Sequence, residues 1–340
     1  MLPDSNKDIS QTYLEAIEDE LQRAVKRVNN FGMNNLYGML AYHMGWDSIT
    51  NHNETRGKRI RPLLVLLSCS AAGGNWVSAL PGATAVELVH NFSLIHDDIE
   101  DHSPLRRGRP TIWKKWGIPQ AINTGDAMYS LAHLEAVRLA ETVSPSIGLQ
   151  AVDILQSTCL HLTQGQYLDL LYEKRKDITI EDYWKMVEGK TAALVAVSAE
   201  LGAMAAFSDE NKTALYRKFG WSLGLAFQVQ DDILGIWGNT LMTGKSSQSD
   251  LVTGKITLPV LYGLSQKRHF ARRWTQGSIH PKELPEVIQY LETEGGKEFA
   301  QSQENQLINH ALTTLDEAKP IGIAAEALRN LALSLVNRRI

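Results

Sequence analysis

The sequence predicts an all-α protein, and three features carry that expectation. No proline occurs between Pro145 and Pro259, a stretch long enough for several uninterrupted helices. No Asn-Gly or Asp-Gly pair marks a two-residue hairpin turn. Apolar residues recur at three- and four-residue steps, while strand-like alternation is nowhere sustained.

From Ile9 onward, Tyr13, Leu14, Ile17, Leu21 and Val25 repeat at helical steps with Glu and other polar residues between them, so an amphipathic helix opens the chain. The same texture predicts helices over 63–72, 83–101, 121–142, 151–172, 180–204 and 211–236. Loops are expected at 73–81, at 103–119 with its Arg-Arg-Gly-Arg-Pro run, and at 238–255, which is rich in Gly, Ser and Thr. No linker composition, low-complexity segment or short repeat interrupts the chain, so residues 1–340 are expected to form a single all-α domain.

Lys and Arg total 34 against 38 Asp and Glu, a formal net charge of −4, so any basic site must be local. That balance argues against a general nucleic-acid or anionic-membrane surface. Two cysteines, Cys69 and Cys159, can make neither a disulfide framework nor a cysteine metal cluster, and they fit a reducing cytoplasm. The N-terminal segment lacks the apolar core of a secretory signal, and no apolar run approaches the roughly 18 residues a spanning helix needs. A cytoplasmic protein without a transmembrane segment is expected.

The segment from His90 to Asp101 gathers three aspartates at the end of a largely apolar helix. A helix turns by about 100° per residue, so Asp97 and Asp101 share one face with Asp98 beside them. Close carboxylates repel unless a cation lies between them, and an all-oxygen cluster suits Mg²⁺, which also binds substrate phosphates. A second pair, Asp231 and Asp232, again ends an apolar helical stretch. Each pair is followed by a basic loop, the first with Arg106, Arg107 and Arg109, the second with Lys245 and Lys255. The two segments therefore read as two walls of one metal site at the mouth of a helical bundle, with a diphosphate as its ligand. A P-loop is excluded on spacing. Gly189-Lys190-Thr191 and Gly244-Lys245-Ser246 mimic its tail, but the required earlier glycine is Trp184 in one case and Asn239 in the other.

Together these residues resemble the all-trans prenyl diphosphate synthase family, most of all its geranylgeranyl diphosphate synthases. The resemblance runs in the family's order through Gly57-Lys-Arg-Ile-Arg-Pro62, Asp97-Asp-Ile-Glu-Asp101, Leu105-Arg-Arg-Gly-Arg-Pro-Thr111 and Gly189-Lys-Thr191. It continues through Phe227-Gln-Val-Gln-Asp-Asp232, Gly244-Lys245 and the run from Asp250 to Pro259. It implies a large helical bundle around a deep central cavity, assembled as a homodimer. It also implies Asp97, Asp101 and Asp231 as ligands of three Mg²⁺ ions, with Asp98 and Asp232 close by. Arg106, Lys190, Gln228, Lys245 and Lys255 would face an allylic diphosphate with Thr191 beside it, and Lys58, Arg61, His90 and Arg107 would hold isopentenyl diphosphate. The implied reaction ionises the allylic diphosphate and adds the resulting cation to isopentenyl diphosphate, so Asp97, Asp98, Asp101, Arg106, Lys190 and Asp231 form the catalytic set. Thr191 and Gln228 are also candidates for steadying the cation through their oxygen dipoles.

The second acidic segment ends in Gly235 where the family's commoner form has a third aspartate. Some synthases share that shortened form, and so do relatives that cyclise a prenyl diphosphate, which makes a terpene cyclase the enzymatic alternative. Lys58, Arg61, His90 and Arg107, which a cyclase without a second substrate does not need, favour chain extension. Intact Asp97, Asp98, Asp101, Arg106 and Arg107 count against a catalytically silent, regulatory relative. In the family, bulky residues four and five positions before the first aspartate set product length, and here these are Ser93 and Phe92. An aromatic at that place with no insertion in the motif implies a C20 product over the C15 of a farnesyl diphosphate synthase. On a helical wheel Ser93 lies about 40° from Asp97 and Phe92 about 140° away, a placement equally suited to core packing.

Overall fold

The computed structural model describes residues 6–32, 34–46, 57–173, 175, 177–238 and 249–336. By its internal contacts the chain forms two compact units. One comprises Met1–Cys159, Val197–Arg217 and Ala318–Leu328, the other Leu160–Ala196, Lys218–Glu317 and Arg329–Ile340.

In the first unit, α1 (Asn6–Lys26) buries Tyr13, Ile17, Leu21 and Val25, the stripe its periodicity predicts, and runs into a 3-10 turn at Arg27–Phe31. After α2 (Asn34–Met44) come α3 (Ile60–Ala71) and α4 (Leu80–Glu100), which are buried on nearly every face. Helices apolar all round belong inside a core rather than on its surface. Next come α5 (Ile112–Trp116) and α6 (Ile118–Thr142), and α6 packs along the length of α4.

The segment 103–119 departs from the expected loop. It holds a hairpin, β1 (Leu105–Arg106) paired antiparallel with β2 (Arg109–Pro110), ahead of α5. Its two turn residues, Arg107 (φ 51°) and Gly108 (φ 74°), both lie in the left-handed region, as a type I′ turn requires. Gly108 tolerates that conformation at no steric cost, whereas Arg107 is held there at a cost of about 1–2 kcal/mol. Thr111 Oγ1 donates to Ser103 O at 2.9 Å and Thr111 N to Pro104 O at 3.1 Å, which closes the base of the hairpin.

The chain passes between the units inside helices α7 (Pro145–Tyr172), α9 (Ala193–Ala205) and α10 (Glu210–Trp237), and again between Glu317 and Ala318 and between Leu328 and Arg329. In the second unit α8 (Ile180–Val187) starts at a capping box: Asp182 N donates to Thr179 Oγ1 at 3.1 Å and Thr179 N to Asp182 Oδ2 at 3.2 Å. The helix expected over 180–204 is not continuous, because a π turn at Glu188–Ala192 separates α8 from α9. Its cause is a close crossing with α7. A Cβ on Gly165 would stand 2.1 Å from Lys190 N, and one on Gly189 would stand 2.6 Å from His161 O, so only glycine lets the two backbones meet. The helices α11 (Ser249–Thr253), α12 (Leu258–Ser265), α13 (His269–Trp274), α14 (Leu284–Thr293), α15 (Gly296–Glu317) and α16 (Gly322–Val336) complete the chain. Tyr183, Val187, Leu225, Val229, Ile233 and Leu258 form one core cluster of this unit, and Phe270, Leu284, Val287 and Leu291 form part of another.

No helix among the described residues is long and apolar enough to cross a membrane. Cys69 and Cys159 are buried and not joined in a disulfide, and burial pushes the pKa of each thiol up to about 12. Overpacking a tight crossing costs about 1–3 kcal/mol. Gly165→Ala is therefore expected to lower Tm by several degrees in a thermal melt, and a Tm equal to wild type would show that the crossing is not tight.

Candidate functional site

The acids of the first unit divide into two kinds. Asp98 is 2% exposed, and it accepts from Arg106 Nε at 2.9 and 3.0 Å and pairs with Arg106 Nη2 at 2.8 Å. Asp97 and Asp101, one turn apart, are half-buried and exposed respectively. All three sit at the C-terminal end of α4, where the helix dipole disfavours negative charge. A fork of guanidinium hydrogen bonds offsets that for Asp98. Asp97 and Asp101 are more accessible, and their carboxylates are hard oxygen donors of the kind that suits a divalent cation.

The same hairpin that returns Arg106 to Asp98 turns Arg107 toward α3. A Cβ on Gly57 would lie 2.6 Å from Arg107 Nη2 and would push that guanidinium aside, and Gly57 itself has φ 78°, a backbone conformation that favours glycine. Arg61 Nη1 lies 3.3 Å from His90 Nε2. A guanidinium only donates, so His90 accepts through Nε2 and is the neutral tautomer protonated at Nδ1. Burial, with Arg61, Arg107 and Arg106 nearby, holds its pKa well below the usual imidazole value. The structure therefore brings Arg61, His90, Arg106 and Arg107 together, and Lys58 lies on the exposed approach to α3.

Sequence reasoning passed over what holds this cluster in place. Arg59, 5% exposed with φ 47°, caps the start of α3. It donates through Nη1 to Glu87 Oε1 at 2.8 Å and through Nε to Glu18 Oε2 at 3.2 Å. Glu87 also accepts from Asn91 Nδ2 through its Oε1 at 3.0 Å and its backbone O at 2.8 Å. An Arg between Lys58 and Arg61 reads as one more surface charge, and no local pattern marks it as buried.

In the second unit Asp232, also 2% exposed, is the counterpart of Asp98. It accepts from Tyr183 Oη at 2.7 Å, Leu258 N at 3.0 Å and Gln228 Nε2 at 3.0 Å. Burial raises its pKa, against the pull of Lys255 and these three donors. Thr191 Oγ1 donates to Gln228 Oε1 at 2.8 Å, so Thr191, Gln228 and Asp232 form one donor chain that fixes both polar side chains. The π turn presents Lys190, which is ion-paired with Asp169 on α7. Burial works against the Lys255 ammonium, but Asp232, Asp250, Asp169 and Asp231 outweigh it and hold its pKa above the ordinary lysine value. Asp231 is half-buried.

Gly235, the departure from the full acidic motif, has a spatial role. A Cβ there would stand 2.0 Å from Asp250 Oδ2, so the Asp250 carboxylate lies where a side chain at 235 would begin. The second unit thus keeps a third carboxylate near Asp231 and Asp232, supplied by α11. Lys245 lies outside the described residues. Ser93 is buried and donates to His90 O at 2.9 Å. Phe92 packs edge-on against Tyr129 of α6, with ring centroids 5.1 Å apart, and against His96 at 5.7 Å. Among the described residues no three His, Cys, Asp or Glu side chains converge as a ready-made metal cage. Sparse carboxylates suit Mg²⁺, which keeps several waters and shares itself with substrate phosphates.

The sequence profile of the Polyprenyl synthetase family matches residues 46–291. A (2E,6E)-farnesyl diphosphate synthase of Mycobacterium tuberculosis is 40% identical over 314 residues, covering 88% of this chain and 86% of its own. A geranylgeranyl diphosphate synthase of the same organism is 35% identical over 319 residues, covering 92% and 90%. The crystal structure of a geranylgeranyl pyrophosphate synthase from Corynebacterium glutamicum, complexed with isoprenyl diphosphate and magnesium, superposes with a TM-score of 0.82 at 25% identity, covering 96% of this chain and 99% of that one.

The Gly235 contact generates a coupled expectation. Gly235→Ala displaces the Asp250 carboxylate and is expected to lower activity about tenfold, roughly 1.4 kcal/mol in the barrier, with Tm nearly unchanged. In an Asp250→Ala background the same change is expected to add nothing, as residues in contact are non-additive. Independent, additive losses in the double-mutant cycle would show that the contact does not matter.

Proposed function

The chain belongs to the polyprenyl synthetase family and is an all-trans prenyl diphosphate synthase with the isoprenoid synthase helical fold, and on that premise we propose how its residues divide the work and what it makes. The observation that carries the reading is the split within each acidic segment. Asp98 and Asp232 are neutralised by the protein's own donors, and Asp97, Asp101 and Asp231 are the more accessible. These three are the Mg²⁺ ligands, and three ions complete the set. The family is magnesium-dependent. When bound, the metal neutralises the oxygens of the departing diphosphate, which is the chemistry carboxylates and cations cannot supply alone.

The chain's own groups do the rest. Arg106, Lys190, Lys245 and Lys255 bind the allylic diphosphate and stabilise the charge that grows on it as its carbon–oxygen bond ionises. Lys58, Arg61, His90 and Arg107 hold isopentenyl diphosphate, whose double bond attacks the allylic cation. Loss of a proton to the released diphosphate completes one five-carbon extension. Thr191 and Gln228, held rigid by their hydrogen-bond chain to Asp232, turn oxygen dipoles toward the cation. Apolar surroundings keep water from quenching it.

The product is geranylgeranyl diphosphate, with Phe92 and Ser93 in the floor that sets chain length. The Phe92–Tyr129 contact supports this reading, because it braces the Phe92 ring from α6. A C15 product is the second reading, and it rests on the 40% identity to a farnesyl diphosphate synthase. The intact cluster of Arg61, His90 and Arg107 disfavours a cyclase, which has no second diphosphate to hold. The protein acts in the cytoplasm as a homodimer. Ile118, Ile122, Leu134 and Val137, each more than 40% exposed along α6, support a face that a second copy covers.

With Mg²⁺, isopentenyl diphosphate and dimethylallyl, geranyl or farnesyl diphosphate, the purified protein is expected to release a linear C20 diphosphate, identified by mass. Phe92→Ala should lengthen the product. A C15 end product would assign the second reading, and a hydrocarbon or cyclic alcohol formed without isopentenyl diphosphate would sink chain extension altogether. Asp97→Asn and Asp101→Asn are expected to lower kcat by at least about a hundredfold at unchanged Tm, as removing a developing-charge stabiliser does.

A further inference from the structure

The geometry points to His43 of α2 as a further substrate-binding residue, one that takes an oxygen of a diphosphate beside Arg106 and Arg107. This rests on the diphosphate chemistry proposed above. His43 lies just before the residues the family profile matches, and none of the motifs includes it.

The first observation is a small void of about 30 Å³. It is lined by Tyr42, His43, Asp98, Arg106, Arg107 and Arg109 among others. That volume admits one or two water-sized groups, hence a phosphoryl oxygen. The second is the fixed orientation of the ring. Asn91 hydrogen-bonds His43, and both N–H groups of Asn91 serve Glu87. The remaining Asn91 group is its Oδ1 acceptor, so the His43 nitrogen facing Asn91 carries a proton and the other carries a lone pair.

The third observation is the charge around the ring. Arg106, Arg107 and Arg59 act on it, His90 is a further neighbour, and Asp98 and Glu87 are already committed to Arg106 and Arg59. Burial first, and these guanidiniums second, lower its pKa to about 3. An uncharged ring beside several guanidiniums on the wall of one void is a place prepared for charge of the opposite sign. An entering diphosphate reverses the local field, the second nitrogen takes a proton from water, and it then donates a charge-assisted hydrogen bond to a phosphoryl oxygen. Arg109 and Lys115, each 4.0 Å from the Tyr42 ring centroid, and Tyr42 Oη, which donates to Pro110 O at 2.9 Å, pin α2 to the hairpin so that His43 stays at the void.

Wild type, His43→Gln and His43→Asn, each with Tm measured, are titrated calorimetrically with isopentenyl diphosphate, geranyl diphosphate and inorganic pyrophosphate. The expected result is a rise of about tenfold in Kd for pyrophosphate and for one of the two prenyl diphosphates. The one affected identifies which substrate His43 holds. Unchanged Kd values for all three in folded variants overturn the assignment to His43 alone, whereas wild type that binds none of them overturns the parent reading. A measurement on the wild-type chain stands independently of whether either variant folds. With histidines labelled at Cε1, at least two of the ten imidazole resonances should move on adding pyrophosphate, those of His43 and His90. Movement of one or none overturns the proposal.

Discussion

Carboxylates crowded at the end of a helix repel one another and the helix dipole repels them too, and the organisation of both units answers that constraint. Each acidic segment buries one aspartate among the protein's own donors. Asp98 is closed by the forked hydrogen bonds of Arg106, and Asp232 by Tyr183, Gln228 and the Leu258 amide. Removing one partner of such a buried charge costs about 3–5 kcal/mol, so these two residues hold the loops around them in place. From the return of Arg106 to Asp98 follow the type I′ turn, the left-handed Arg107, and the absence of a side chain at Gly57. Of the neighbouring acids, Asp97 and Asp231 are half-buried and Asp101 is exposed.

The positive side of the first unit obeys a matching logic. Arg61, Arg106 and Arg107 stand near two imidazoles that burial and these arginines keep uncharged. A cluster of like charges is expensive without an anion, and here Asp98 is paired with Arg106 and Glu87 with Arg59. The positions of these groups are fixed by Arg59, Glu87 and Asn91, whose hydrogen bonds tie the start of α3 to α4.

Glycine decides geometry in the second unit by letting other groups come close. At Gly165 and Gly189 two backbones meet, and the displaced turn becomes the π segment that carries Lys190 and Thr191. At Gly235 the missing side chain makes room for the Asp250 carboxylate. Read along the chain, Gly235 is the loss of an acid from a motif. In the fold, an acid from α11 stands in the same place, so the shortened motif does not leave the second unit short of negative charge.

The amino-acid sequence determined the helical class, the positions of most long helices and every member of the two acid clusters except Asp250, because periodicity and spacing are local properties that a helix converts directly into faces. Asp97 and Asp101 fall on one side of α4 for that reason alone. The order of the motifs was enough to select the family and its chemistry. Which aspartate of each pair is tied to the protein, however, depended on where Arg106 and Tyr183 arrive from other elements. The hairpin was hidden because its turn uses Arg107 and Gly108 rather than an Asn-Gly pair. The π turn was hidden because its cause, Gly165, lies on a different helix. His43 and Arg59 carried no pattern at all, one on a short helix and the other between two expected ligands. Their importance comes from burial, from neighbouring charge and from hydrogen-bond partners far off in the chain, and those are quantities that only tertiary packing fixes.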